Sequence, residues 1–298
     1  MSSQFLTSTL HEEQFKAERL KDITEDRTHG AAELARASLQ VLADYCALCS
    51  ANRVDELRDK LRGFALALQS ARPSMMPLRN LLESWMECIR DQNVEEVDVM
   101  RGLASDFAYD IIRQSHNATS KIAEYVAAMI PEDSVVMTHS LSSTIVECFR
   151  QLGGKNVHAI ITESRPGFEG RILAELLVEN AVSAKFITDA QMGLFVAEAD
   201  FILIGADSIL ADGSVVNKAG TYLLALAAEV VETPVYVCAE TFKQSFTLAE
   251  AIELEEKSGE ELGLAILPHI TPVNIYFDIT PAALISGWIN EHGINTTF

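Results

Sequence analysis

The chain has 298 residues, a formal net charge of −20 at pH 7 and a pI near 4.7, and 48% of its residues are apolar. This length and apolar share suit two folded domains and exclude a disordered chain. The excess of acid argues against non-specific binding to nucleic acid or to an anionic membrane, because both carry negative charge. We therefore expect neither nucleic acid nor a membrane as a direct partner.

The N-terminus and the cysteines favour a cytoplasmic protein. The first residues lack the basic and then apolar pattern of a signal peptide. Five cysteines cannot all pair, and their spacing with histidines does not suit zinc. Cys46 and Cys49 form a C-x-x-C motif within a helical pattern, which favours two buried helix residues over a metal or redox pair. We predict reduced thiols, no metal site and no cofactor.

Residues 1 to about 130 are predicted to form a helical domain. Leu57, Leu61, Phe64 and Leu68 recur at the spacing of one helix face. Arg72 comes directly before a proline, and a residue in that position avoids the helical conformation, so this helix should end there. A long helix is predicted between residues 94 and 129.

From residue 131 the hydrophobic period changes. Short apolar runs alternate with helical patterns, which is typical of a parallel sheet with crossover helices. The predicted strands are 134–138, 157–162, 184–188, 201–204 and 235–238. The predicted fold class is therefore α/β, with an N-terminal helical domain and a C-terminal Rossmann-like parallel sheet domain at 131–298. Residues 244–268 are interpreted as an acidic helical insertion, and a last helix is expected from Pro281 to Glu291.

Polar residues follow each predicted strand, where open parallel sheets bind ligands. They are His139 and Ser140, Glu163 to Arg165, Asp189, Asp207, and Glu240 to Lys243. Polar strand ends are common, so this set alone fits a binding site and structural caps equally well. Neither G-x-G-x-x-G after the first strand nor a P-loop motif occurs, which disfavours a dinucleotide cofactor and P-loop chemistry.

The segment 199–221 combines an acid with a predicted anion site. Asp207 follows the apolar strand 201–204, either as a functional acid or as a turn cap. Asn217 and Lys218 are predicted to open the next helix, and helix N-termini attract anions. Because a lysine in the first turn opposes the helix dipole, Lys218 indicates an anionic ligand.

Several motifs together resemble a known family. They are Thr138-His139-Ser140, Thr162 to Pro166, Gly205 to Ser208, Asp212-Gly213, Asn217 to Thr221 and Ala239 to Lys243. The chain resembles the α, β and δ subunits of translation initiation factor 2B and the related isomerases of ribose 1,5-bisphosphate and methylthioribose 1-phosphate. The resemblance covers most of the chain. It implies a helical domain on a Rossmann-like domain that mediates dimerisation, hence a homodimer or larger homo-oligomer, and a translation-factor or metabolic protein as a further partner.

The same resemblance implies a site for a phosphorylated small molecule. Asp207 takes the place of the isomerase acid, and Ser140 stands where the isomerases have a cysteine. The residues that would hold the ligand are Gly30, Arg72, Ser142, Ser143, Asn217, Lys218 and Lys243, with Arg27 a weaker candidate. Glu163 and Arg165 join this set or form a structural ion pair.

The serine at position 140 weakens the interpretation of the protein as an isomerase. A thiol ionises near neutral pH, whereas a serine hydroxyl needs a strong base beside it. His139 lies on the opposite face of the strand and is expected to be a buried, hydrogen-bonded imidazole. Cys238 is a less favoured replacement base.

Three hypotheses remain. The favoured one is a protein that binds a sugar phosphate or nucleoside monophosphate, with a regulatory role. The alternatives are an isomerase of a phosphorylated pentose with a different base, and an assembly subunit that binds no small molecule.

Overall fold

The computed structural model describes residues 2–26, 30–72, 75–265 and 267–298. The chain divides into two compact units, Met1–His116 and Asn117–Phe298. The first is helical and the second contains a mainly parallel sheet, which confirms the predicted fold class.

The described part of the helical region consists of five helices. They are α1 (Ser2–Glu25), α2 (Ala31–Leu48), α3 (Val54–Ala71), α4 (Met76–Arg90) and α5 (Val97–Met129). The apolar face predicted for α3 is buried throughout, from Leu57 to Leu68. Trp85 of α4 is also buried, and its indole N–H donates to the Ala104 carbonyl at 2.8 Å. The division between the two units falls within α5.

The two cysteines of the C-x-x-C motif, Cys46 and Cys49, are buried in the helical unit. Burial raises the pKa of the Cys46 thiol to about 12, and burial also raises the pKa of Cys49. Both side chains are therefore neutral thiols at physiological pH. The described residues bring together no group of three histidine, cysteine, aspartate or glutamate side chains that could hold a metal ion.

A seven-stranded sheet forms the centre of the second unit. Its strands are β1 (Val135–Thr138), β2 (His158–Thr162), β3 (Ser183–Ile187), β4 (Phe201–Ile204), β7 (Val235–Cys238), β11 (Gly287–Asn290) and β12 (Gly293–Asn295). They lie in the order β12-β11-β7-β4-β1-β2-β3. Six of these strands are parallel, and β12 pairs antiparallel with β11 at one edge.

Helices cover both faces of this sheet. One apolar cluster joins the end of α5 to α6 (Ser143–Leu152) and α7 (Glu169–Glu179). The other joins α8 (Met192–Phe195) and α9 (Thr221–Val230) to the opposite face. Neighbouring strand residues point to opposite faces, so Val136 belongs to the first cluster and Met137 to the second. Among the described residues, no helix has both the length and the apolarity to cross a membrane.

Two small sheets complete the unit. One contains β5 (Ser208–Ile209), β6 (Val215–Lys218) and β10 (Phe277–Thr280), and the other contains β8 (Glu256–Lys257) and β9 (Asn274–Ile275). The helical insertion predicted at 244–268 is wrong, because its described residues form short 3₁₀ turns and β8. The helix predicted from Pro281 to Glu291 is also wrong. One 3₁₀ turn at Ala282–Leu284 leads into β11, where Trp288 is buried against the sheet.

Candidate functional site

The order of the strands reverses between β1 and β4, and open α/β sheets bind ligands at such a point. The chain runs from β1 through β2 to β3, then returns to place β4 and β7 on the other side of β1. The loops after β1 and β4 are in contact, since a Cβ built on Gly205 would lie 2.6 Å from Ser142 Oγ. We call the region between residues 139–143 and 205–208 the switch-point crevice. It contains Ser140 and Asp207, the two residues predicted for catalysis.

Ser140 is held in a left-handed backbone conformation with φ of 69°, and Ser164 after β2 has φ of 59°. Such a conformation is costly for a residue with a side chain, so its surroundings must hold it. The Ser140 N–H donates to Ser164 Oγ at 2.9 Å, and this oxygen lies 3.0 Å from Thr162 Oγ1. Buried hydroxyls thus join the ends of β1 and β2 and fix the direction of the chain at Ser140.

His139 is a buried, hydrogen-bonded imidazole, as predicted. Its Nε2 lies 3.0 Å from the Ala219 carbonyl oxygen, which can only accept, so Nε2 carries the proton. Nδ1 then accepts from Thr162 Oγ1 at 2.7 Å. Burial lowers the pKa of His139 and keeps the ring neutral. With both ring nitrogens engaged, His139 is poorly suited to activate Ser140.

Asp207 is held by its backbone, because its N–H donates to the Val216 carbonyl at 2.9 Å. Burial raises the pKa of its carboxyl, and the nearby charges of Lys243 and Lys218 oppose this rise without cancelling it. A carboxyl with a raised pKa retains its proton more readily than an ordinary aspartate. Asp207 is therefore suited to donate a proton or a hydrogen bond to a ligand.

Lys243 is buried beside the equally buried Glu240, with Nζ 3.2 Å from Glu240 Oε2. Glu240 Oε1 accepts from the hydroxyls of Thr119 and Thr144, each at 2.8 Å. Burial alone would raise the pKa of Glu240, but Lys243 and these hydrogen bonds lower it overall. The ionised Glu240 thus positions Lys243 near Asp207.

Asn217 and Lys218 do not open a helix, contrary to the sequence prediction. They end strand β6, and α9 begins at Thr221. Asn217 Nδ2 donates to Thr221 Oγ1 at 3.0 Å. The first N–H groups of α9 are satisfied by Asp278, whose carboxylate accepts from Gly220 N at 2.7 Å. The start of α9 is therefore occupied by this chain's own carboxylate, and the positive charge here comes from Lys218.

Lys218 is buried between an acid and an aromatic ring. Its Nζ lies 2.6 Å from Glu169 Oε1, at the start of α7. The same ammonium lies 4.4 Å from the centre of the Tyr276 ring, a favourable cation–π distance. Lys218 and Lys243 both oppose the raised pKa of Asp207, so two ammonium groups, each paired with a carboxylate of its own, lie near this acid. This arrangement can bind an anion and supply a proton to it.

The family model of the Initiation factor 2 subunit family matches residues 27–297 of the chain. The chain belongs to this family. It is 36% identical, over 93% of its length and 95% of the relative, to a Pyrococcus abyssi protein named for its likeness to eIF-2B subunit 2. It is 30% identical, over 89% of its length and 86% of the relative, to the ribose 1,5-bisphosphate isomerase of Methanocaldococcus jannaschii. The crystal structure of Pyrococcus horikoshii translation initiation factor eIF-2B superposes with a TM-score of 0.81 at 33% identity, covering 94% and 96% of the two chains.

In this initiation factor 2 family protein, Ser142 and Ser143 lie at the N-terminus of α6. Ser142 Oγ accepts from the Ile145 N–H at 3.5 Å, and Ser143 is the first residue of the helix. Helix N-termini present unpaired N–H groups and a positive dipole end to anions. The crevice thus has a helix N-terminus, but it belongs to α6 and not to α9.

The backbone N–H groups of Glu163 and Arg165 hydrogen-bond to residues at the end of β3 and just after it. The Glu163 N–H donates to the Ile187 carbonyl at 2.8 Å. The Arg165 backbone N–H donates to Asp189 Oδ2 at 2.7 Å. The Arg165 guanidinium donates to the Leu262 carbonyl at 2.9 Å and stacks on the Phe168 ring. The guanidinium is thus engaged with the chain itself, and a ligand role for Arg165 stays a prediction.

Gly30 and Arg72 belong to the helical unit. Gly30 is the N-cap residue of α2. The Arg72 guanidinium donates to the Ile23 carbonyl at 3.1 Å and to the Asp26 carbonyl, so it caps the end of α1. Arg27 lies outside the described residues.

Two acidic residues of the site were missed from the sequence. Glu169 follows the Thr-Glu-Ser-Arg-Pro motif within the same loop, and this position was the available signal. Asp278 lies far away in sequence and reaches α9 only because β10 pairs with β6. Cys238, the alternative base, is fully buried in the core, where it accompanies the Cys148 thiol.

Proposed function

We propose that the switch-point crevice binds a phosphorylated small molecule, namely a sugar phosphate or a nucleoside monophosphate. The observation that carries this proposal is the pair of buried lysines, Lys218 and Lys243, whose charges both act on Asp207. Converging cations are typical of phosphate sites. The N-terminus of α6, with Ser142 and Ser143, adds hydrogen-bond donors.

The serine at position 140 favours binding without efficient isomerisation. A hydroxyl needs a strong base to lose its proton, and His139 has both ring nitrogens engaged. Members of the family that carry the name ribose 1,5-bisphosphate isomerase and members that carry the name eIF-2B are both similar to this chain. A ligand-binding protein with a regulatory role is consistent with both groups of relatives.

A binding experiment tests the proposal. Isothermal titration calorimetry would compare ribose 1,5-bisphosphate, ribose 5-phosphate and AMP, each against wild type, Lys218→Met and Lys243→Met. We expect saturable binding to wild type and at least tenfold weaker binding to each variant. Lys185→Met is the matched control, because Lys185 lies on β3 with an exposed side chain paired to Glu198. Absence of binding by wild type at 10 mM of every compound, roughly the weak limit of specific affinity, would overturn the proposal.

Isomerisation of a phosphorylated pentose is the second candidate function. It is supported by the raised pKa of Asp207, since such an isomerase needs a group that holds a proton for transfer to the sugar. Turnover of ribose 1,5-bisphosphate by wild type and Ser140→Cys separates the two candidates. We expect negligible turnover by wild type and a measurable gain in the variant. Rapid wild-type turnover would favour the isomerase.

We also propose that the protein forms a homodimer through α9. Leu223, Leu226 and Val230 recur at the spacing of one helix face and are 65%, 39% and 84% exposed, so they form an exposed apolar stripe. Light scattering of wild type and Leu223→Glu tests this, with a dimer expected for the former and a monomer for the latter. A wild-type monomer at 100 μM, a concentration far above the Kd of a stable dimer, would contradict it.

A further inference from the structure

The ammonium of Lys218 is already paired with a carboxylate of the same chain. Glu169 Oε1 lies 2.6 Å from Lys218 Nζ, and the two side chains are 22% and 8% exposed. The ring of Tyr276 covers another side of the ammonium at 4.4 Å. An incoming phosphate would therefore meet a cation that already has a negative partner.

Only one of the two carboxylate oxygens of Glu169 is hydrogen-bonded among the described residues. Its second oxygen, Oε2, is buried and has no hydrogen-bond partner among the described residues. A buried carboxylate oxygen without a donor is costly. The carboxyl group also lies directly over Gly167, where an added Cβ would come within 2.8 Å of the carboxyl carbon. The carboxylate thus occupies its place because of Lys218 rather than through a full set of hydrogen bonds.

We propose that Glu169 is an internal competitor for the anion site of Lys218 and sets its charge selectivity. In the ligand-free protein its carboxylate takes the place of a phosphate oxygen. A ligand must displace it, and a dianionic phosphate does so better than a singly charged carboxylate because it interacts more strongly with the freed ammonium and with Lys243. This inference rests on the proposed function, since it concerns the same crevice.

Competition of this kind has a quantitative consequence. If the ion pair leaves Lys218 available in about one molecule in ten, the apparent affinity for an anion is about tenfold weaker than the intrinsic affinity. Removing the negative charge of Glu169 should therefore tighten phosphate binding by about tenfold. A residue that instead positioned Lys218 or contacted the ligand would give the opposite result.

The experiment is a calorimetric titration of the full chain with inorganic phosphate and with acetate. Glu169→Gln keeps the shape of the side chain and removes its charge. Glu175→Gln is the matched control, because Glu175 is an exposed residue of the same helix and its loss changes the net charge equally. We expect Glu169→Gln to bind phosphate about tenfold more tightly than wild type and to bind acetate measurably, and Glu175→Gln to match wild type within twofold.

Glu169→Asp gives a second test should the glutamine variant fold poorly. Its shorter carboxylate reaches Lys218 less well, so it should also bind phosphate more tightly than wild type, by a smaller factor. Unchanged or weaker phosphate binding by a folded Glu169 variant would overturn this inference. If wild type still binds phosphate in that case, the proposed function stands. If wild type, Glu169→Gln and Glu169→Asp all fail to bind phosphate, the proposed function fails, and this inference fails with it.

Discussion

Glu240 and Lys243 form an ion pair in which both side chains are buried, with 3.2 Å between Oε2 and Nζ. We predict that Glu240→Gln lowers the free energy of unfolding by about 3–5 kcal/mol, because it leaves a buried ammonium without its counter-charge. Urea denaturation followed by circular dichroism measures this loss. Lys243→Met combined with Glu240→Gln is the control, and the double variant should lose less than the sum of the single variants. A loss below about 1 kcal/mol, the scale of an exposed pair, would contradict the prediction.

The stability of the protein should fall as His139 is forced to accept a proton. Burial lowers the pKa of this imidazole in the folded state below the ordinary value of 6.5. Lys218 lowers it as well, whereas Asp189, Glu169 and the Ala219 carbonyl oppose the effect. Protons therefore bind the unfolded state preferentially. The stability that the neutral His139 contributes is fully present above pH 6.5 and is lost as the pH falls towards the folded-state pKa.

In wild type, the slope contributed by His139 should approach about 1.4 kcal/mol per pH unit within that window. His139→Gln should remove most of this slope, since an amide can donate to one partner and accept from the other without titrating. Denaturation midpoints between pH 5 and 8 test this. The control is His292→Gln, because His292 is an exposed histidine outside this site. Equal slopes for wild type and His139→Gln would show that the prediction is wrong.

Asp207→Asn should make the folded protein more stable at neutral pH. Burial raises the pKa of Asp207, so its ionised form destabilises the fold. As the pH falls through the folded-state pKa towards the ordinary value of 3.8, wild type takes up this proton and the difference between the two proteins should shrink. Thermal denaturation from pH 4 to 8 tests this.

Asp189→Asn is the contrasting control for that experiment. The Asp189 carboxylate accepts from the backbone N–H groups of Ser164 at 2.8 Å and Arg165 at 2.7 Å. Its replacement should cost about 1–3 kcal/mol, because hydrogen bonds to a charged acceptor are lost. The prediction would be contradicted if Asp207→Asn were less stable than wild type at pH 7. That result would mean that Lys243 and Lys218 stabilise the ionised Asp207 by more than burial destabilises it.

The sequence predicted those parts of the fold that depend on local patterns. The apolar period of α3 and the short buried runs of β1 and β4 follow from which faces must be buried. Ser140 and Asp207 could be placed because strand ends in a parallel sheet meet at one edge. These inferences need only the residues within one or two elements.

Long-range pairing explains what the sequence did not reveal. The sequence predicts that Asn217 and Lys218 open a helix, but both belong to β6, which pairs with β5 and β10. In the pairing with β10, Lys218 lies opposite Phe277, which is nearly sixty positions later in the sequence. Residues 281–291 have a helical composition, yet Trp288 and Ile289 extend the main sheet beside β7. In both cases a tertiary partner overrides local propensity. The Glu169–Lys218 contact depends on the same pairing.

Arg72 should contribute to stability as well as to any ligand site. Its guanidinium donates to the carbonyls of Ile23 and Asp26 at the end of α1, so Arg72→Ala should lower the free energy of unfolding by about 1.5–3 kcal/mol. Arg72→Lys should recover part of this loss, since an ammonium lacks the two-pronged geometry. Gly30→Ala is the control: with φ of −70° and nothing within 4 Å of an added Cβ, it should change stability by less than about 0.5 kcal/mol. Urea denaturation measures all three variants, and wild-type stability in Arg72→Ala would show that these two hydrogen bonds do not stabilise the fold.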